Sequence, residues 1–128
     1  MKVVIIMGSA SDESHAKKIT DNLDNLNISW EQFVASAHKQ PLEVLKILED
    51  NASEESLVYV TIAGRSNALS GFVGANSEFP TIACPPFTDK TDMMVNINST
   101  LQMPSKTPVL TVLDPGNCAT AISRIFKV

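Results

Sequence analysis

Aromatic side chains make up only 5% of this 128-residue chain, with one Trp and one Tyr. That scarcity argues against a module built to stack a flavin between rings. Cysteine is scarcer still. Cys84 and Cys118 stand alone and far apart, a spacing that suits neither a metal site nor a disulfide framework. A reduced, cytoplasmic setting is the expectation. Basic residues do not predominate: the net charge is −4 and the pI is near 5.0. No broad nucleic-acid footprint is therefore expected, although a local anion site needs only a few backbone N–H groups and one cation. The opening apolar run, Val3 to Met7, is too short for a signal-peptide core or a membrane span. Gly-Lys-Ser/Thr and G-x-G-x-x-G are both missing, which excludes the two commonest nucleotide loops.

What is present is an alternation. Met1 to Met7 is apolar and rich in β-branched residues, as in a strand buried on both faces of a parallel sheet. Gly8-Ser9-Ala10-Ser11-Asp12 breaks it, and Ala16, Ile19, Leu23 and Leu26 then recur at helical spacing. Trp30 to Ala35 is the second strand. Pro41 suits the first turn of a second helix, followed by Leu45, Leu48 and Ala52. Leu57 to Ala63 is the third strand, Gly64 to Asn67 a turn, and Ala68, Leu69, Phe72 and Val73 a short helix. Pro80 to Cys84 is a fourth strand stopped by Pro85-Pro86. Met94, Ile97 and Leu101 mark helix four, Val109 to Leu113 strand five, and Cys118, Ala121, Ile122 and Ile125 helix five.

Strands that alternate with helices predict an α/β fold: a parallel five-stranded sheet with helices on both faces. The expected strand order is 2-1-3-4-5, the three-layer flavodoxin-like sandwich. No linker divides the chain, so residues 1–128 are expected to form a single domain. In such a sheet every strand-to-helix turn lies on one rim. The turns at 8–12, 36–40, 64–67 and 85–92 therefore share it, and ligands bind near the reversal of strand order.

Each rim turn has a plain reading and a chemical one. Ser9, Ser11 or Asp12 could simply cap helix one, or the small-residue turn could cradle a phosphate. Asp12 would repel a phosphate above it, so a sugar hydroxyl is its better partner. His38 could cap helix two, or move protons, since imidazole both takes and gives a proton near neutral pH. Lys39 and Arg65 could be solvated cations or anion ligands, Arg in a bidentate manner. Ser66 and Asn67 could cap helix three or contact a ligand. His15, among charges on helix one, reads as a solvated surface residue. Cys84 reads as a small buried hydrophobe, and Met93, Met94 and Met103 as core or oligomer contacts.

Four segments then combine. Gly8-Ser9-x-Ser11-Asp12, Ser36-Ala37-His38-Lys39, Ala63-Gly64-Arg65-Ser66-Asn67 and Gln102-Met103-Pro104 resemble, in order and spacing, the aminoimidazole ribonucleotide carboxylases of purine biosynthesis. The likeness runs from Lys2 to Phe126. Lys39 after the histidine, together with Arg65-Ser66-Asn67, resembles the branch that uses CO2 directly. The branch that rearranges the N5-carboxylated ribonucleotide carries Arg after the histidine and a Gly/Ala-rich third turn.

The resemblance implies carboxylation of 5-aminoimidazole ribonucleotide at C4 with no metal and no other cofactor. His38 would be the general acid and base. Gly8, Ser9, Ser11 and Asp12 would hold the ribose phosphate end, with Asp12 on the ribose hydroxyls. Ser36 and Lys39 would help bind phosphate. Ala63 and Gly64 would belong to the binding turn, with Arg65 and Ser66 near either the phosphate or the carboxylate end. The expected partners are the small-molecule substrates and copies of the same chain, as an octamer with a tetramer as the alternative, and neither nucleic acid nor a membrane. The chain departs from the family pattern at Ser105-Lys106, where a glycine usually follows Met-Pro. It also offers both Asp92 and Asn96 where the family has one acidic residue, and it ends at Val128, where most members continue into a further helix. The competing readings are the mutase of the same family and a ribonucleotide-binding domain without chemistry. A receiver domain is a poor match, because strands one and three run into Gly8-Ser9 and Gly64-Arg65 rather than into aspartates.

Overall fold

The computed structural model describes residues 1–128, and five parallel strands form its centre. They are β1 (Lys2–Met7), β2 (Trp30–Val34), β3 (Leu57–Ile62), β4 (Thr81–Ala83) and β5 (Leu110–Thr111), in the order β2-β1-β3-β4-β5. Five helices alternate with them: α1 (Glu13–Asn25), α2 (Pro41–Asp50), α3 (Ala68–Asn76), α4 (Lys90–Leu101) and α5 (Pro115–Phe126). A 3-10 turn over Ala10–Asp12 leads into α1. The expected flavodoxin-like order is the observed one. No helix is long and apolar enough to cross a membrane.

The central strands are apolar because both faces are covered. Val3, Ile5 and Met7 point to one side and meet Ala16, Ile19 and Leu23 of α1 and Ala119 and Ile122 of α5. Val4 and Ile6 point to the other side, with Tyr59, and meet Val44 and Leu48 of α2 and Leu69 and Val73 of α3. Each buried Val, Leu or Ile contributes on the order of 1.5–3 kcal/mol. An alternating strand would have left one of these faces polar.

Register places the functional turns side by side. Met7 pairs with both Val34 and Ile62, and Thr61 pairs with Ala83. β1, β2 and β3 therefore end at one level, and their turns emerge together. Gly8 N–H donates to Ile62 O at 2.9 Å, which ties the first turn to the third directly.

Two apolar assignments differ from expectation. On α4 the buried residues are Asn96 and Thr100, while Met94 and Leu101 are 54% and 62% exposed. The inward face of α4 is polar because it meets the Asn67 and Pro86 turns. Leu26 and Ala52 lie just beyond their helices and are exposed.

Candidate active site

The cleft grows out of three turns. In the first, Ser9 has extended backbone, and its Oγ accepts the N–H of Ser11 at 3.2 Å, capping the 3-10 turn. Ser11 Oγ is 2.9 Å from Ser9 Oγ. Asp12 is half-buried, and burial raises its carboxyl above the ordinary range, opposed by His15 and by a bond from the backbone. The second turn closes on itself: Gln40 N–H donates to Ser36 O at 2.7 Å and Lys39 N–H to Ser36 Oγ at 3.2 Å. Pro41 at the start of α2 then points the chain away, leaving His38 exposed at the tip.

The third turn is the most constrained. Ser66 sits at φ 54°, in the left-handed region, where a residue other than glycine costs roughly 1–2 kcal/mol. Asn67 follows with φ −69° and ψ 84°, and Ala68 N–H reaches back to Ser66 O at 2.8 Å, an inverse γ-turn. A buried polar network holds this shape. Asn67 Oδ1 accepts from Ser70 N–H at 3.1 Å, Asn67 Nδ2 donates to Thr100 Oγ1 at 3.0 Å, and Asn67 N–H donates to Ser99 Oγ at 2.6 Å. The Asn67 cap expected from the sequence is therefore real, and it also docks α4.

These turns enclose a cavity of about 190 Å³. Among its lining residues are Gly8, Ser9, Asp12, Ser36 and His38 from the first two turns. Ala63, Gly64, Arg65 and Ser66 complete it from the third. A second hollow of about 560 Å³ adjoins it and shares Ser9, Asp12, Gly64 and Arg65. Ser11 lines only the second hollow. Lys39 lines neither and is exposed. Of the candidates named from sequence, Lys39 is the one that the fold leaves outside.

A match to a family model now bears on the cleft. Residues 2–128 match the model described as AIR carboxylase. The chain belongs to the AIR carboxylase family. It is 48% identical, over its whole length and 70% of the relative, to a phosphoribosylaminoimidazole carboxylase of Archaeoglobus fulgidus. To the enzyme of the same name from Treponema denticola it is 43% identical, over 98% of this chain and 79% of that one. A crystal structure of Treponema denticola PurE superposes with a TM-score of 0.91 at 42% identity, covering 98% of this chain and 80% of that one.

In this AIR carboxylase family member the second hollow contains residues that sequence reasoning did not assign to the site. His15 is half-buried, not solvated: its Nε2 lies 3.1 Å from Cys84 O and 3.6 Å from Cys84 Sγ. The available signal was its position four residues before Ile19, beside the buried stripe of α1. Cys84 is fully buried, as expected, but it is more than a filler. The Cys118 thiol first, and then His15, pull its thiol below the ordinary thiol range, against the opposing effect of burial. Lys18 and Thr88 also line the hollow.

Asp92 and Asn96, the two candidates for the family's acidic position, both reach the hollow. Asp92 Oδ1 accepts from Arg65 Nη2 at 3.2 Å, and Asp92 Oδ2 accepts from Thr88 N–H at 3.0 Å. Those contacts, the Thr88 N–H first, hold its carboxyl below the usual range. Asn96 is buried, donates from Nδ2 to Pro86 O, and has no partner for its Oδ1.

Proposed function

We propose that residues 1–128 act as one unit that carboxylates 5-aminoimidazole ribonucleotide at C4 with CO2, His38 serving as general acid and base. The observation that carries this reading is a single cavity lined by every candidate residue except Ser11 and Lys39. Membership of the AIR carboxylase family supports it, as do the names of the Archaeoglobus fulgidus and Treponema denticola relatives.

The aminoimidazole is an enamine. Its C4 attacks the carbon of CO2, a C–C bond forms, and one C–O π pair moves onto oxygen to give a carboxylate. The C4 proton then leaves to the His38 imidazole, and the ring becomes aromatic again. In reverse, His38 returns that proton to C4 and CO2 departs. Such proton transfer contributes about 10²–10⁴ in rate. The rest of the acceleration comes from holding the ring against the base and CO2 against C4. Ser9, Ser11 and Asp12 bind the ribose and its phosphate, Asp12 accepting from the sugar hydroxyls, and Ser36 binds phosphate. Lys39, exposed on the same turn as His38, attracts the phosphate rather than enclosing it.

The unit works as a cytoplasmic homo-oligomer, an octamer before a tetramer, without nucleic-acid or membrane partners. The outward Met94 and Leu101 of α4 support a further packing surface. Replacing the imidazole tests the chemistry. His38→Asn keeps the circular-dichroism spectrum and the nucleotide affinity of the wild type and loses turnover by about 10²-fold or more. Near-normal turnover would remove His38 from the mechanism.

A further inference from the structure

Arg65 is the only lysine or arginine that lines the cavity containing His38. The adjoining hollow has Lys18 as well, together with the hydroxyls of Ser9, Ser11 and Ser14. The Arg65 side chain is 71% exposed and anchored at one point, Nη2 to Asp92 Oδ1 at 3.2 Å. A guanidinium has five N–H donors in a planar fork, so most of them remain free. Asp92 is fixed on its own side. Its second oxygen accepts from Thr88 N–H at 3.0 Å, from Thr88 Oγ1 at 3.4 Å and from Asn96 Nδ2 at 3.4 Å, and its backbone N–H donates to Asp89 Oδ1 at 2.8 Å.

We propose that Arg65 binds the carboxylate formed at C4, and that Asp92 is the positioning residue that holds the guanidinium for it. The assignment rests on the carboxylation reading and settles which end of the nucleotide Arg65 serves. C4 must face His38. The new carboxyl carbon is one bond from C4, roughly 1.5 Å, so it lies in the His38 cavity whichever way the nucleotide runs. The phosphate is separated from the ring by the ribose and is met by the hydroxyls of Ser9, Ser11 and Ser36 with Lys39 beside them, so the one cation of the His38 cavity, Arg65, is left to face the new carboxylate. CO2 carries no net charge before attack. Negative charge grows on its oxygens as the bond forms, so a cation placed there favours the transition state over the ground state. Asp92 keeps the fork from swinging into solvent.

The test compares two ligands that differ by one carboxylate. Binding of 5-aminoimidazole ribonucleotide and of its 4-carboxylated product is measured by calorimetry on the wild type, Arg65→Gln, Arg65→Lys and Asp92→Asn. Arg65→Gln weakens the carboxylated nucleotide by about 10–100-fold, in line with loss of a hydrogen-bonded charge, and leaves the uncarboxylated one within about threefold, the size of a minor change in contact. Asp92→Asn shows the same selectivity at smaller size, and Arg65→Lys restores part of it. Equal loss for both ligands would make Arg65 a phosphate ligand and overturn the proposal. Unchanged binding of the product would overturn it too. A wild type that binds neither nucleotide would instead overturn the substrate reading on which the proposal stands.

Discussion

The side-chain amide of Asn67 donates to Thr100 Oγ1 at 3.0 Å, joining the start of α3 to the last turn of α4. The same amide caps α3 and meets Ser70 Oγ, which lies 2.7 Å from Thr61 Oγ1 on β3. The turn that carries Arg65 and Ser66 is thus fastened to the sheet and to two helices through buried polar contacts. Asn67→Ala removes the cap and strands the Thr100 hydroxyl. It should destabilise the fold by about 1–3 kcal/mol, read as a lower urea midpoint with an unchanged slope. Nucleotide affinity should fall with it, because the positive φ of Ser66 loses its support.

Close packing fixes the far end of α3. A Cβ on Gly74 would stand 2.9 Å from Val109 Cγ2 and 3.1 Å from Pro108 O, both on the segment that leads into β5. Gly74→Ala gains roughly 1 kcal/mol of helix propensity, but the overpacking costs about 1–3 kcal/mol. The net effect should be destabilising in thermal unfolding, whereas Gly8→Ala should be tolerated sterically, since its nearest contacts lie at 3.7–3.8 Å.

Asp12 trades stability for binding. Burial raises its folded-state carboxyl above the unfolded value. A raised acid favours folding while protonated, and that advantage disappears as pH rises through the folded value. At neutral pH the ionised Asp12 is therefore a burden. Asp12→Asn should raise stability at neutral pH, and the difference from the wild type should shrink as pH falls toward about 4. Denaturation across that range measures it. The same variant should bind the nucleotide more weakly, since it loses the charged acceptor for the ribose hydroxyls.

The fold was legible because its signals are local. Continuous β-branched runs such as Val3 to Ile6 and Leu57 to Ile62, each followed by a small-residue turn, leave little besides a doubly covered parallel sheet. Strand order brought the Gly8, Ser36 and Gly64 turns to one rim before any distance was known. Other features depended on packing across the chain. Nothing near Asn96 or Thr100 in sequence announces that α4 turns its polar face inward. That outcome depends on Asn67 and Pro86, about ten to thirty residues away, which need partners there. His15 was misread for a related reason: charges beside it suggested solvent, while the carbonyl that binds it belongs to Cys84, 69 residues on. Lys39 marks the opposite case, a motif residue whose neighbours line the cavity and whose own side chain does not.

The central claim is that CO2 itself is the carboxyl donor. It is tested most directly by offering the purified protein, without ATP, either 5-aminoimidazole ribonucleotide with bicarbonate-equilibrated CO2 or the N5-carboxylated isomer, and following formation of the 4-carboxylated product. Turnover of the first pair, with the isomer inert, is the predicted result. Turnover of the isomer alone would contradict it and make the chain a mutase, and turnover of neither would leave a ribonucleotide-binding domain without chemistry.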